Sequence, residues 1–230
     1  MCKIAIMGAM PEEIEPLLEK VENIKKIEYA NNSYYEATYK GKELVIAYSK
    51  IGKVFSSLTA STLLEKFGCS TLLFSGVAGA INPELKIGDL IIADKLCQHD
   101  LDISIFGHAY GYVPEGAVFI ESDAKLREIA KRVAVKNELS LIEGTIATGD
   151  QFVASNERKA FITANFKADA LEMEGASVAV VCDALNVPFF ILRAISDTAN
   201  DDAGIDFDEF MIGSAKISAN FILDMVDSIE

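Results

Sequence analysis

KIAIMGAMPEEIEPLLEKV, residues 3–21, decides the fold. Its apolar run, Ile4 to Met7, has the length and content of a buried strand. Gly8 breaks the run, and Pro11 stands where a first helical turn tolerates a missing N–H. Beyond it Ile14, Leu17, Leu18 and Val21 fall at i, i+3, i+4 and i+7, the spacing of one helix face. A strand passing through a short turn into an amphipathic helix is the opening of a βα unit.

The same grammar continues along the chain. Leu44 to Tyr48, Thr71 to Ser75, Leu90 to Ala93 and Phe189 to Ile195 read as strands, several of them apolar throughout, as strands buried on both faces are. Helix spacing recurs at Ala60, Leu63, Leu64, Phe67, at Leu126, Ile129, Ala130, Val133 and at Val178, Val181, Cys182, Leu185. Ser122 and Ser155 suit N-caps, and Asp206 with Glu209 resembles a capping box opening a last helix from about Phe207. No repeat or low-complexity linker divides residues 1–230, so the expectation is one domain, a three-layer αβα sandwich around a mixed sheet.

Composition narrows the function. The 230 residues carry a formal net charge of −14, which opposes binding to the nucleic-acid backbone and tilts the partner toward a neutral or cationic small molecule. Cys2, Cys69, Cys97 and Cys182 are scattered without a C-x-x-C pair, as in a reducing compartment. The apolar run at the start is too short for a signal segment, and nowhere do about 18 apolar residues run together, so the expectation is a cytoplasmic protein off the membrane.

Ligands of α/β sheets bind beyond the carboxyl ends of strands. Four segments fall there: Gly8 to Glu13 after the first strand, Gly76 to Gly79 after the third, Leu171 to Gly175 before a helix, and Ser196-Asp197 closing the strand from Phe189. Glu12, Glu13 and Glu174 are candidates for acid–base work, although acids in a first helical turn also complement the helix dipole. Asp197 ends a central strand, where an unpaired charge is costly. Gly76-Val77-Ala78-Gly79 either lets backbone approach a ligand or is an ordinary turn. Arg193, inside an apolar strand, holds a structural carboxylate or orients a catalytic one. His99 and His108 have no metal spacing and read as solvent-exposed, and no metal or cofactor is expected. Neither G-x-G-x-x-G, a Walker loop nor G-x-S-x-G occurs, which sets aside nicotinamide or flavin binding, NTPase and serine-hydrolase readings.

Taken together, IAIMGAMPEEI (4–14), SKIGKV (49–54), FSGVAGA (74–80), KIGDLIIAD (86–94), ATGDQFV (147–153), ALEMEGASVA (170–179) and LRAISDTAND (192–201) resemble the 5′-methylthioadenosine/S-adenosylhomocysteine nucleosidases of the purine and uridine phosphorylase superfamily. The resemblance implies Asp197 as the acid protonating adenine N7, Glu13 as the group activating water, and Glu174 with Met173 on the ribose hydroxyls. It implies Phe152 stacked on adenine, Val153 reading its edge, and Met10, Ile51, Val77, Gly79, Glu172, Arg193, Ser196 and Phe207 around the substrate, Phe207 near the 5′-substituent. It further implies a homodimer in which Ile103, Phe106 and Pro114 reach the neighbouring site. Val77 departs from the small hydroxyl residue of many members. KVFSSLT and FSGVAG look most like the branch that also cleaves 6-amino-6-deoxyfutalosine in bacteria making menaquinone through futalosine; 5′-deoxyadenosine is a further expected substrate.

These residue types suit the chemistry. Adenine leaves poorly as an anion, so an acid must neutralise it while the sugar passes through an oxocarbenium-like state that carboxylates stabilise. An Asp serving as that acid near neutral pH must have its pKa raised by burial or by hydrogen bonds favouring its neutral form. Two rivals follow: a phosphorolytic nucleoside phosphorylase, against which the arginine-free, two-glutamate loop Gly8 to Glu13 argues, and a nucleoside-binding protein without activity.

Overall fold

The structure, a computed structural model, describes the backbone of residues 3–197 and 203–229 and the side chains of 3–197 and 210–229. The opening stretch folds as read: β1 (Ile4–Gly8) is wholly buried and leads into α1 (Pro11–Leu18), with Pro11 at the helix start. Val21 lies past the end of that helix but is still buried.

Among the described residues ten strands form one mixed sheet. They are β1, β2 (Glu22–Tyr29), β3 (Asn32–Tyr39), β4 (Lys42–Tyr48), β5 (Thr71–Ala80), β6 (Leu90–Gln98), β7 (Ile120–Glu121), β8 (Leu141–Thr148), β9 (Ala170–Glu172) and β10 (Phe189–Asp197). β10 pairs with both β5 and β6, so β10, β6, β8, β9 and β5 close into a ring, from which β1, β4, β3 and β2 extend in that order. β1 runs parallel to β4 and β5, and β10 parallel to β5, whereas β2, β3 and β4 are joined antiparallel.

Helices cover both faces. α2 (Lys53–Ser61), continued by a π-helical turn at Thr62–Lys66, packs with α5 (Gly175–Ala184) over a core containing Met7, Leu63, Phe74, Val178 and Ile191. On the opposite face α1, α3 (Ala124–Lys136) and α6 (Ala203–Ser228) enclose Ile6, Ile14, Leu126, Phe190 and Phe221. α4 (Asn156–Phe166) closes a smaller cluster around Ile162, Phe166 and Leu171.

Three sequence expectations are corrected. Asp123, not Ser122, caps α3 by accepting the Leu126 N–H at 2.9 Å. The Ser122 hydroxyl instead donates to the Ala93 carbonyl, tying the helix start to β6. Ser155 does cap α4, at 3.2 Å from Arg158 N. α6 already runs from Ala203, so Asp206 lies within the helix and not at its cap. Finally Gly76 to Gly79 is not a turn: β5 continues to Ala80, because β10 pairs with it through Gly79.

Candidate active site

That extension of β5 creates the site. One edge of β5 is paired with β10 from Leu72 to Gly79, while the other is held by β1 up to Phe74 and by β9 only from Gly79. Between them the edge from Ser75 to Ala78 has no strand partner among the described residues, and a cleft opens over it, at the carboxyl ends of β1, β5 and β10. Ala9, Met10 and Glu13 line it from the β1–α1 turn, Ile51 from the segment after β4, and Val77 to Gly79 from β5. Gln151 to Val153 enter after β8, Leu171 to Glu174 at the β9–α5 junction, and Ser196 and Asp197 at the end of β10.

Glu13 takes the place of the missing strand partner. Its Oε1 accepts the Val77 N–H at 3.1 Å, and its Oε2 accepts the Ala9 and Met10 N–H groups at 2.5 and 3.0 Å. A Cβ on Gly76 would lie 2.8 Å from Glu13 Oε1 and 3.2 Å from Arg193 Nη1, so only glycine leaves room for both groups. Burial raises the Glu13 pKa against the opposing pull of Arg193 and the three N–H donors.

Behind the cleft Arg193 is almost wholly buried and stacked 4.1 Å from the Phe74 ring centroid. Its Nη2 donates to Glu172 Oε2 at 2.6 Å. The same oxygen accepts the N–H groups of Glu174 and Gly175, at 3.1 and 2.6 Å, and Oε1 accepts the Thr148 hydroxyl. With these donors Glu172 is engaged in holding Arg193 and the start of α5. The sequence alternatives for Arg193 therefore meet: it binds a structural carboxylate, and its charge acts on Glu13 and Glu174.

Glu174 is the N-terminal boundary residue of α5, and its Oε1 accepts the Gly52 N–H at 2.8 Å. Burial, then repulsion from Glu172, pushes its pKa up to about 8. Asp197 is buried at the end of β10, beyond a bulge that shifts the register after Ile195. The Ser196 hydroxyl donates to its Oδ2 at 2.9 Å. Phe152, half exposed, and Val153, buried, add apolar surface to the same lining as the carboxylates.

Twelve of the expected residues line one cleft: Met10, Glu13, Ile51, Val77, Gly79, Phe152, Val153, Glu172, Met173, Glu174, Ser196 and Asp197. Ile103, Phe106 and Pro114 are not among the residues lining it, and Phe106 is 77% exposed. Phe207 lies outside the residues whose side chains are described. His99 is corrected: it is buried, its N–H extends the β6–β8 ladder to the Thr148 carbonyl at 2.9 Å, and burial, then Arg158, lowers its pKa to about 4. His108 is exposed and stacks on Tyr112. Sequence reading missed Gly52 and Thr148, whose only signal was their presence inside the SKIGKV and ATGDQFV segments.

A cleft combining the Phe152 ring, four carboxylates (Glu13, Glu172, Glu174 and Asp197) and, among its described lining residues, no lysine or arginine suits a neutral ligand with a planar ring and hydroxyl groups. The fold and this site define a class, that of the phosphorylase superfamily, whose family model matches residues 3–227. Within that superfamily the chain belongs to the nucleosidases. It is 60% identical, over the full length of both chains, to the aminodeoxyfutalosine nucleosidase of Campylobacter jejuni, and 37% identical, over 99% of this chain and all of the other, to the 5′-methylthioadenosine/S-adenosylhomocysteine nucleosidase of Actinobacillus succinogenes. Among solved structures, a Helicobacter pylori nucleosidase mutant with 5′-methylthioadenosine in its active site superposes with a TM-score of 0.98 at 49% identity, covering all of both chains.

Proposed function

We propose that this chain hydrolyses the N-glycosidic bond of 5′-substituted adenine nucleosides, with 6-amino-6-deoxyfutalosine, 5′-methylthioadenosine and S-adenosylhomocysteine as substrates and 5′-deoxyadenosine as a further one. The observation that carries the reading is the convergence of Glu13, Glu174 and Asp197 on one cleft. The relatives' names support the substrates, since similar chains are called aminodeoxyfutalosine nucleosidase in two organisms.

In this reading adenine lies against Phe152, with its edge toward the Val153 backbone, and Asp197 passes its proton to N7 as the glycosidic bond breaks. Positive charge then develops on the ribose. Glu174, in its ionised form, stabilises it through the 2′-hydroxyl, and Met173 packs on the sugar. Glu13 accepts a proton from the attacking water; its raised pKa makes it a stronger base than an exposed carboxylate. Ser196 orients Asp197, and Arg193 limits the charge that the buried glutamates accumulate. A phosphate nucleophile would meet carboxylates in the same space.

The active unit is a homodimer in the cytoplasm. The support for a partner is the high exposure of the large apolar side chains Ile51, Val54, Phe55, Ile105 and Phe106. Ile103, Phe106 and Pro114 would complete the partner's site. For location, no described helix is long and apolar enough to cross a membrane, and Cys97 and Cys182 are buried thiols.

Adenine release is measured in phosphate-free buffer with the native chain and Asp197→Asn. The native chain is expected to release adenine from both 5′-methylthioadenosine and aminodeoxyfutalosine, and the variant to be slower by about 10²- to 10⁴-fold. Strict dependence on phosphate would make it a phosphorylase, and tight binding without cleavage a binding protein.

A further inference from the structure

Phe152 and Val153 follow β8, whereas Glu174 belongs to the β9–α5 junction, and a third segment joins them. At the start of α2 the Gly52 N–H donates to Glu174 Oε1 at 2.8 Å, and the next N–H, of Lys53, donates to Asp150 Oδ1 at 2.8 Å. The Asp150 N–H donates in turn to Asp100 Oδ2 at 2.8 Å, and Lys53 Nζ returns to Asp100 Oδ1 at 2.7 Å and to Gln98 Oε1 at 3.1 Å. Lys53, Asp150 and Asp100 thus close a circuit outside the cleft. Gly52 adopts φ +99°, and a Cβ there would stand 3.0 Å from Asp150 Oδ1, so the turn is seated directly on Asp150.

We propose that Asp150 is a positioning residue: its carboxylate holds the Gly52–Lys53 turn so that the Gly52 N–H stays on Glu174, locking the base-binding segment to the ribose-binding carboxylate. The catalytic consequence rests on the role proposed for Glu174; the geometric coupling does not.

The charges facing Glu174 make the proposal separable from simple electrostatics. Glu172 approaches from β9, Glu13 from α1, Arg193 from β10 and Asp197 from the end of β10 across the cleft, while Lys53, Asp150 and Asp100 lie beyond the Gly52 turn. Removing the Asp150 charge alone makes Glu174 easier to ionise. Releasing the Gly52 N–H makes it harder, because that donor favours the ionised form. The two effects have opposite signs. Asp150→Asn removes the charge and keeps an acceptor oxygen; Asp150→Ala removes both.

The experiment is a ¹³C NMR titration of glutamate carboxyl carbons in the ligand-free protein, with Glu174→Gln identifying the resonance, alongside pH profiles of kcat/KM for adenine release. Asp150→Ala is expected to move the Glu174 midpoint upward by about one pH unit, the lost hydrogen bond to a charged group outweighing the removed Asp150 charge. Asp150→Asn is expected to leave it at or below the native value, and the rising limb of kcat/KM should follow each midpoint. An unchanged or lowered midpoint in Asp150→Ala, or an equal rise in both variants, would overturn the proposal. If the midpoint rises as expected and no nucleoside is cleaved, the coupling stands and the nucleosidase reading falls.

Discussion

Arg193 occupies a position where charge is costly, and the surrounding residues show how the cost is offset. Its guanidinium faces Phe74 and Glu172, and Glu172 also receives Thr148 and two backbone N–H groups. The charge is therefore paired, and Glu13 and Glu174 feel what remains of it. Glu174 has no such partner in full measure, so its ionisation opposes folding. Its pKa rises from 4.5 in the unfolded reference to about 8, so the folded chain holds a proton that the unfolded one releases. Stability associated with that proton is complete below pH 4.5 and is lost as pH rises through about 8. Glu174→Gln, which cannot ionise, is expected to gain stability relative to the native ligand-free chain progressively across this window. Urea unfolding at a series of pH values measures it, and a constant difference would contradict the assigned burial.

At the scale of elements, caps and strand ends decide what was legible. α3 depends on the Asp123 carboxylate to accept the Leu126 N–H, so Asp123→Ala is expected to cost about 1 kcal/mol of stability, read as a lowered unfolding midpoint with an unaltered denaturant slope. β1, β4 and β10 could be read directly, because strands buried on both faces are written as apolar runs. The β2–β3 hairpin could not: ENIKKIEY is exposed along nearly its whole length, and its turn at Ala30-Asn31 relies on positive φ values of 50° and 57° rather than on glycine. β8 was hidden by Glu143 and Gly144, and the far half of β5 by Gly76 and Gly79, which imitate a turn, although Gly76 in fact leaves space for Glu13 and Arg193. Glu13 and Asp197 were legible because they follow or end apolar strands, and Glu174 because its segment precedes a helix. Groups that brace them were not, since a backbone N–H such as that of Gly52 belongs to every residue and carries no compositional mark. His99 misled for a related reason: its burial comes from the ladder to Thr148 and from Gly149, whose added Cβ would lie 2.3 Å from the ring.

For the whole molecule, assembly has a direct measurement. If Phe106 enters a neighbour's cleft, Phe106→Asp is expected to shift the protein toward monomer in sedimentation velocity and to raise KM by about tenfold or more, the effect of losing one buried aromatic contact at an interface. An unchanged dimer with unchanged KM would remove Phe106 from the shared site. The ring formed by β10, β6, β8, β9 and β5 bears on a different property. Closing the sheet on itself conceals backbone groups that would otherwise recruit a strand from another chain, and leaves β2 as the far end of the extension. That strand carries Lys25, Lys26 and Glu28 on an exposed, irregularly registered ribbon. At that margin of the sheet, the charges discourage amyloid-type self-templating.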